Sequence, residues 1–165
     1  MFKIDYKNIL YSSLIVLAIF LLDRVSKIYI LELTLQNNIL NVYITSYLNL
    51  YLVWNKGIAF GLFSFGGDYF YNFITAMITM IIVIILVMII NAKGLKKYFL
   101  LTILGGALGN IFDRVYYSAV PDFIDFHIDE FHWFIFNIAD VFVTLGVIGL
   151  IFDEIFYSIG KNEKN

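Results

Sequence analysis

The chain has 165 residues, 61% of them hydrophobic and 19% aromatic, with only 15% charged and a net charge of −2. Soluble domains run about 45–50% apolar and 25% charged, so residues 1–165 read as one integral membrane unit. No cysteine is present, which excludes disulfides, thiolate catalysis and cysteine-held metal, and no basic stripe interleaved with aromatics points to nucleic acid.

Lys3 and Lys7 precede a first apolar run and could open a signal peptide, but Asp23-Arg24-Val25-Ser26-Lys27 offers no small-x-small cleavage site. The run is therefore expected to be an uncleaved first span over about residues 9–33. The segment that follows, 34–68, contains alternating polar and aromatic or β-branched residues from Leu40 to Trp54, a strand pattern. Trp54-Asn55-Lys56-Gly57-Ile58-Ala59-Phe60-Gly61 then reads as a turn between apolar stretches.

A second span, about 69–90, has no charge at all. Residues 91–97 are short and carry Lys93, Lys96 and Lys97. A glycine-rich third span follows over about 98–115. An acidic, histidine-containing loop covers 116–132, and a fourth span is expected over about 133–157. A span needs about 20 residues. The lysines of both tails and of 91–97 fall on one side, which the positive-inside rule makes the cytoplasm. Segments 34–68 and 116–132 then face outward. The expected fold is an all-α membrane protein of four transmembrane helices, with a small extracytoplasmic β-sheet between helices 1 and 2.

Two aspartates stand where such a chain tolerates them least. Asp122 lies in Val120-Pro121-Asp122-Phe123-Ile124-Asp125-Phe126, and Asp140 in Phe136-Asn137-Ile138-Ala139-Asp140. A carboxylate in lipid costs roughly 3 kcal/mol on insertion scales unless it has partners or a watery cavity. Asp140 is expected about two turns into the fourth helix from its outer end, so the two carboxyls approach near the outer surface. Sharing a proton, such a pair can activate water.

Other polar groups gather around them. Gly106, Asn110 and Asp113 share one helical face, followed by Arg114; Asn137, Asp140 and Thr144 share another. Asp23 and Lys27 are i, i+4 neighbours that can pair. Asp125, Asp129, Glu130, His127 and His132 raise the thought of a metal site, but their spacing matches no compact ligand motif, and neither metal nor cofactor is expected. A small proton- or cation-coupled transporter subunit is the main alternative to an enzyme. It calls for charge along a path through the bilayer, whereas the charges here gather toward the outer side. A third reading, a structural protein with polar helix glue, gives no reason for two aspartates beside amides.

In this order the pieces resemble the lipoprotein signal peptidases, or signal peptidase II. They are Asp23 with Lys27, then Asn55-Lys56-Gly57-Ile58-Ala59-Phe60. Gly105-Gly106-Ala107-Leu108-Gly109-Asn110 with Asp113-Arg114 follows, then the two segments around Asp122 and Asp140. The resemblance implies a multi-pass aspartyl peptidase of the bacterial inner membrane, with both termini cytoplasmic. It implies lipid-modified prolipoprotein substrates held against membrane lipid and cut before the lipidated cysteine. Matched by motif, Asp122 and Asp140 are the catalytic pair. Asp23, Lys27, Asn55, Gly57, Asn110, Arg114 and Asn137 are site-supporting residues. Ser118 departs from the pattern, standing where a glycine is common.

Overall fold

The computed structural model describes residues 5–37, 41–57, 68–129 and 131–162. Lys3, Lys164, Glu130 and the Ile58-to-Gly61 part of the expected turn lie outside the described residues. The elements in chain order are α1 (Tyr6–Asn37), β1 (Asn41–Thr45), β2 (Leu48–Asn55), α2 (Asp68–Asn91), α3 (Gly94–Tyr117), β3 (Val120–Ile128), β4 (Phe131–Phe136) and α4 (Ile138–Asn162).

The helices pack inside out. Along α1, Leu14, Leu17, Leu21, Val25 and Ile28 are exposed, while Asp23 and Lys27 are 0% and 1% exposed. In water such a surface would be an aggregation site; in lipid it is the favourable face, and the polar groups turn inward to find partners. Among the described residues, Tyr69–Asn91 in α2 is the helix long and apolar enough to cross a membrane by length and composition alone. It lacks charge, glycine and proline, so nothing interrupts its backbone hydrogen bonds. Ile82 and Ile85 of α2 bury against Leu100, Ile103 and Leu104 of α3.

Glycine sets the approach of α3 to its neighbours. A Cβ at Gly106 would lie 2.5 Å from the Ala139 carbonyl oxygen of α4, and one at Gly109 would lie 2.5 Å from an Asp23 carboxylate oxygen of α1. Only hydrogen fits at either point, as expected where backbones close in. At the opposite end, Lys97 donates to Asn8 Oδ1 at 2.5 Å, joining the starts of α3 and α1.

The sheet is larger than expected and differently placed. It is antiparallel, in the order β1-β2-β3-β4, so half of it comes from between α3 and α4. Residues 120–128, read as loop, are a strand. Residues 133–136, assigned to the fourth span, belong to β4. Apolarity alone did not separate them from the helix: Phe131-His132-Trp133-Phe134-Ile135-Phe136 is aromatic and β-branched, which suits a pleated, half-buried surface as well as a bilayer. Helix α4 starts only after Asn137, so Asp140 sits in its first turn, not two turns in. The sheet is anchored by Phe123 and Ile30, with Leu50, Leu52, Ile124 and Ile138 packed around them.

Candidate active site

Asp122 and Asp140 reach one cavity of about 190 Å³ from different elements. Asp122 lies on β3, opposite Val53 of β2, and is 2% exposed. Asp140 projects from the first turn of α4. Asn55, Asn110, Asn137 and Arg114 line the polar end; isoleucines of α2, Ile78 and Ile82 among them, line the apolar wall.

Each carboxyl is held by two N–H donors. Asn137 Nδ2 donates to Asp122 Oδ1 at 2.6 Å, and Asn55 Nδ2 donates to Asp122 Oδ2 at 2.9 Å. Asn110 Nδ2 donates to Asp140 Oδ1 at 2.8 Å, and the Asn137 backbone N–H donates to Asp140 Oδ2 at 3.1 Å. The three amides cannot turn freely, because each oxygen is engaged by a fixed donor. Asn55 Oδ1 accepts from Gly57 N at 2.7 Å, Asn110 Oδ1 from Lys27 Nζ at 2.9 Å, and Asn137 Oδ1 from Asp140 N at 3.2 Å. The reciprocal bonds between Asn137 and Asp140 form a capping box at the start of α4. One local motif thus starts the helix and orients a carboxyl.

No cation forms an ion pair with either carboxyl among the described residues. Burial, and then the charge of Asp140, push the Asp122 carboxyl up to about 7, against the pull of the bonds from Asn137 and Asn55. A group that titrates there is poised to give or take a proton at neutral pH.

Asp23 and Lys27 stand behind the carboxyls rather than beside them. Lys27 Nζ lies 2.9 Å from Asp23 and 2.6 Å from Asp113. Arg24 grips Asp113 with both Nη atoms, Nη2 lying 2.8 Å from Oδ2, and Asp23 at 2.8 Å. Asp23 Oδ1 also accepts from the Ala139 N–H of α4 at 3.0 Å. Two cations and two anions so join α1, α3 and α4, and Lys27 passes that order to Asn110. The expectation of a simple Asp23–Lys27 pair missed Arg24 and Asp113. Their signal was charge retained in apolar helices, without a spacing to connect it.

Arg114 serves differently again. Its Nη2 donates to the Gly57 carbonyl, and its guanidinium lies 5.4 Å over the Tyr71 ring. Tyr71 in turn donates to the Arg114 carbonyl at 2.9 Å; nothing in the sequence singled out this tyrosine. Nε and Nη1 of Arg114 are buried without a hydrogen-bond partner among the described residues. All nine residues expected at the site therefore fall into one connected assembly.

Comparison with known proteins places the chain in a family. Residues 15–156 match the model of the family described as Signal peptidase (SPase) II. The chain belongs to the signal peptidase II family. It is 50% identical to the lipoprotein signal peptidase of Pelagibacter ubique (strain HTCC1062) over 164 residues, 99% of each chain. It is 42% identical over 130 residues to that of Anaplasma phagocytophilum (strain HZ), covering 77% of this chain and 80% of the relative. A bacterial membrane enzyme solved by the in meso method at 2.3 Å resolution superposes with a TM-score of 0.71 at 28% identity, covering 94% of this chain and 93% of the other. These likenesses to signal peptidase II proteins lend the transporter reading no support.

Proposed function

We propose that the protein is an aspartyl endopeptidase that removes the signal peptide from lipid-modified prolipoproteins, cutting before the lipidated cysteine, with Asp122 and Asp140 as its catalytic pair. The observation that carries this reading is two carboxyls, Asp122 buried and Asp140 half-buried, each on two N–H donors, at the polar end of a cavity with an apolar wall. One carboxylate takes a proton from water, and the resulting nucleophile attacks the scissile carbonyl carbon. The other, protonated, gives its proton to the carbonyl oxygen. When the tetrahedral intermediate collapses, the C–N bond breaks and the amine leaves with a proton from the pair. Water is the only co-reactant. The Arg114 donors without a partner among the described residues are available to substrate carbonyls, and the isoleucine wall suits an apolar signal sequence.

Substitution of the pair tests this. Asp122→Asn and Asp140→Asn preserve size but cannot carry the shared proton. Each alone should lower prolipoprotein cleavage by ~10³-fold or more, and the double variant should cost little beyond either, as for groups acting as a unit. Membrane levels should persist, because an amide inserts more easily than a charge. Asp129→Asn, on the exposed turn after β3, serves as the near-silent control. Near-normal cleavage by either single variant would reject the pair.

The membrane arrangement belongs to the same proposal: four spans formed by α1–α4, with the sheet outside and both termini in the cytoplasm. Its support is the apolar outer face of the helices and the lysine bias. Lys96→Cys in this cysteine-free chain should resist a membrane-impermeant thiol reagent in intact cells. Labelling from outside would overturn the topology.

A further inference from the structure

β3 carries a second polar group that the hydrolysis does not use. Asp125 and His127 alternate with Ile124 and Phe126, so they share the strand face opposite to that of Asp122. Strand register brings two more side chains to that face: His132 of β4 lies across from His127, and Asn49 of β2 lies across from Asp125. The linear spacing hides this, because the histidines meet only through the β3–β4 pairing.

Asp125 and His127 are 1% and 7% exposed, while His132 is open to solvent. His132 Nδ1 lies 3.0 and 2.8 Å from the two Asp125 oxygens. The His127 and His132 rings stack with centroids 5.3 Å apart. His127 Nδ1 is 3.7 Å from Asp125 Oδ2, too far for a hydrogen bond, and neither it nor Asn49 Oδ1 has a partner among the described residues. One ligand-type atom from each of Asp125, His127 and His132 lies within 4.8 Å of the others.

An ordinary Asp–His pair accounts for Asp125 and His132. It leaves a buried imidazole nitrogen and a buried amide oxygen unsatisfied among the described residues, each carrying its desolvation cost. A cation among them removes the anomaly. We propose that Asp125, His127 and His132 bind one divalent transition-metal ion of the zinc type, with Asn49 Oδ1 as a neighbouring neutral oxygen. Two imidazoles and a carboxylate suit zinc and disfavour magnesium and calcium, which take oxygen ligands. Small side-chain rotations bring the donors to the ~2.0–2.2 Å that zinc requires. The exposed edge of His132 supplies the entry path.

The ion's role is to clamp strands. Asp125 lies three residues after Asp122 on β3, and His132 lies on the strand that runs directly into Asn137. A metal joining the two strands fixes the frame from which Asn137 reaches Asp122, without touching the reacting atoms.

The test uses the full chain, purified in detergent and stripped of metal. Calorimetric titration with Zn²⁺ should give one saturable site, and Co²⁺ should give the visible absorption of a low-symmetry nitrogen- and oxygen-ligated ion. Mg²⁺ at the same concentration should give neither. His132→Ala should weaken Zn²⁺ binding by at least ~10-fold, and unfolding in chelator measures separately what loss of its bond to the buried Asp125 costs the fold. His127→Ala should do the same where it folds. No saturation by ~1 mM Zn²⁺, the weak end of specific binding, would overturn the site. Unchanged affinity in His132→Ala would overturn it equally.

Discussion

Two pairs of aspartates lie within a few turns of each other and are held in opposite ways. Asp23 and Asp113 are each 0% exposed, and Arg24 and Lys27 hold both. Charge is balanced, every carboxylate oxygen is engaged, and the group works as a fixed joint between helices. Asp122 and Asp140 meet amides and a backbone N–H instead. Amides orient a carboxyl without neutralising it, so the pair cannot readily hold two negative charges and keeps a proton in play. Little solvent reaches either region; cations set the charge-balanced pair apart from the pair proposed to be catalytic.

The strongest way to break that comparison is to unbalance the structural pair. Asp113→Asn leaves Arg24 and Lys27 facing one carboxylate. Removal of one partner from a buried ion network costs about 3–5 kcal/mol, so folded protein should fall sharply in thermal unfolding and membrane accumulation. Arg24→Met combined with Asp113→Leu removes one charge of each sign and should recover most of that loss. If the double variant is no better than Asp113→Asn alone, the joint is not held by charge balance.

The reactive pair is sharpened by pH. In the proposed pair one carboxyl must carry a proton to serve as donor, and burial with the charge of Asp140 pushes the Asp122 carboxyl up to about 7. As pH rises through that value the donor is lost, so kcat/KM should fall about tenfold per pH unit on the alkaline side. The sign for folding is the same. A carboxyl raised above its ordinary 3.8 favours the folded state at low pH, and that contribution is lost as pH rises through about 7. A flat alkaline profile would assign the proton elsewhere.

The smallest effect concerns the link between the regions. Ser118, which ends α3 and leads into β3, adopts φ 57°, ψ 21°, the left-handed conformation that favours glycine. Ser118→Gly should therefore raise stability by up to about 1 kcal/mol and leave cleavage unchanged. A loss of stability would show that the serine side chain is needed there.

Much of the reactive region was legible because its chemistry is local. Asp122, Asp140 and the three asparagines are conspicuous in an apolar chain, and the uncharged run of α2 admits one reading. The structural joint was half legible: Asp23 and Lys27 are neighbours on one helix, but Arg24 and Asp113 meet across 89 residues, and no periodicity encodes that. The second half of the sheet was missed for a different reason. Aromatic residues at an interface serve strand and span alike, and only Asn137, in its role as a helix cap, marks where one gives way to the other.

The separation of Arg24 from Asp113 has a consequence for synthesis. Chains emerge at about 5–20 residues per second, so the first helix waits roughly 4–18 s for its partner on α3. During that interval it carries Asp23, Arg24 and Lys27, one positive charge in excess, with only the i, i+4 pair to offset them. The insertion machinery receives the protein's most polar helix first and its least polar one second. Completion of the bundle is therefore timed by the arrival of the third helix, whose glycines admit Asp23 and whose Asp113 cancels the surplus charge.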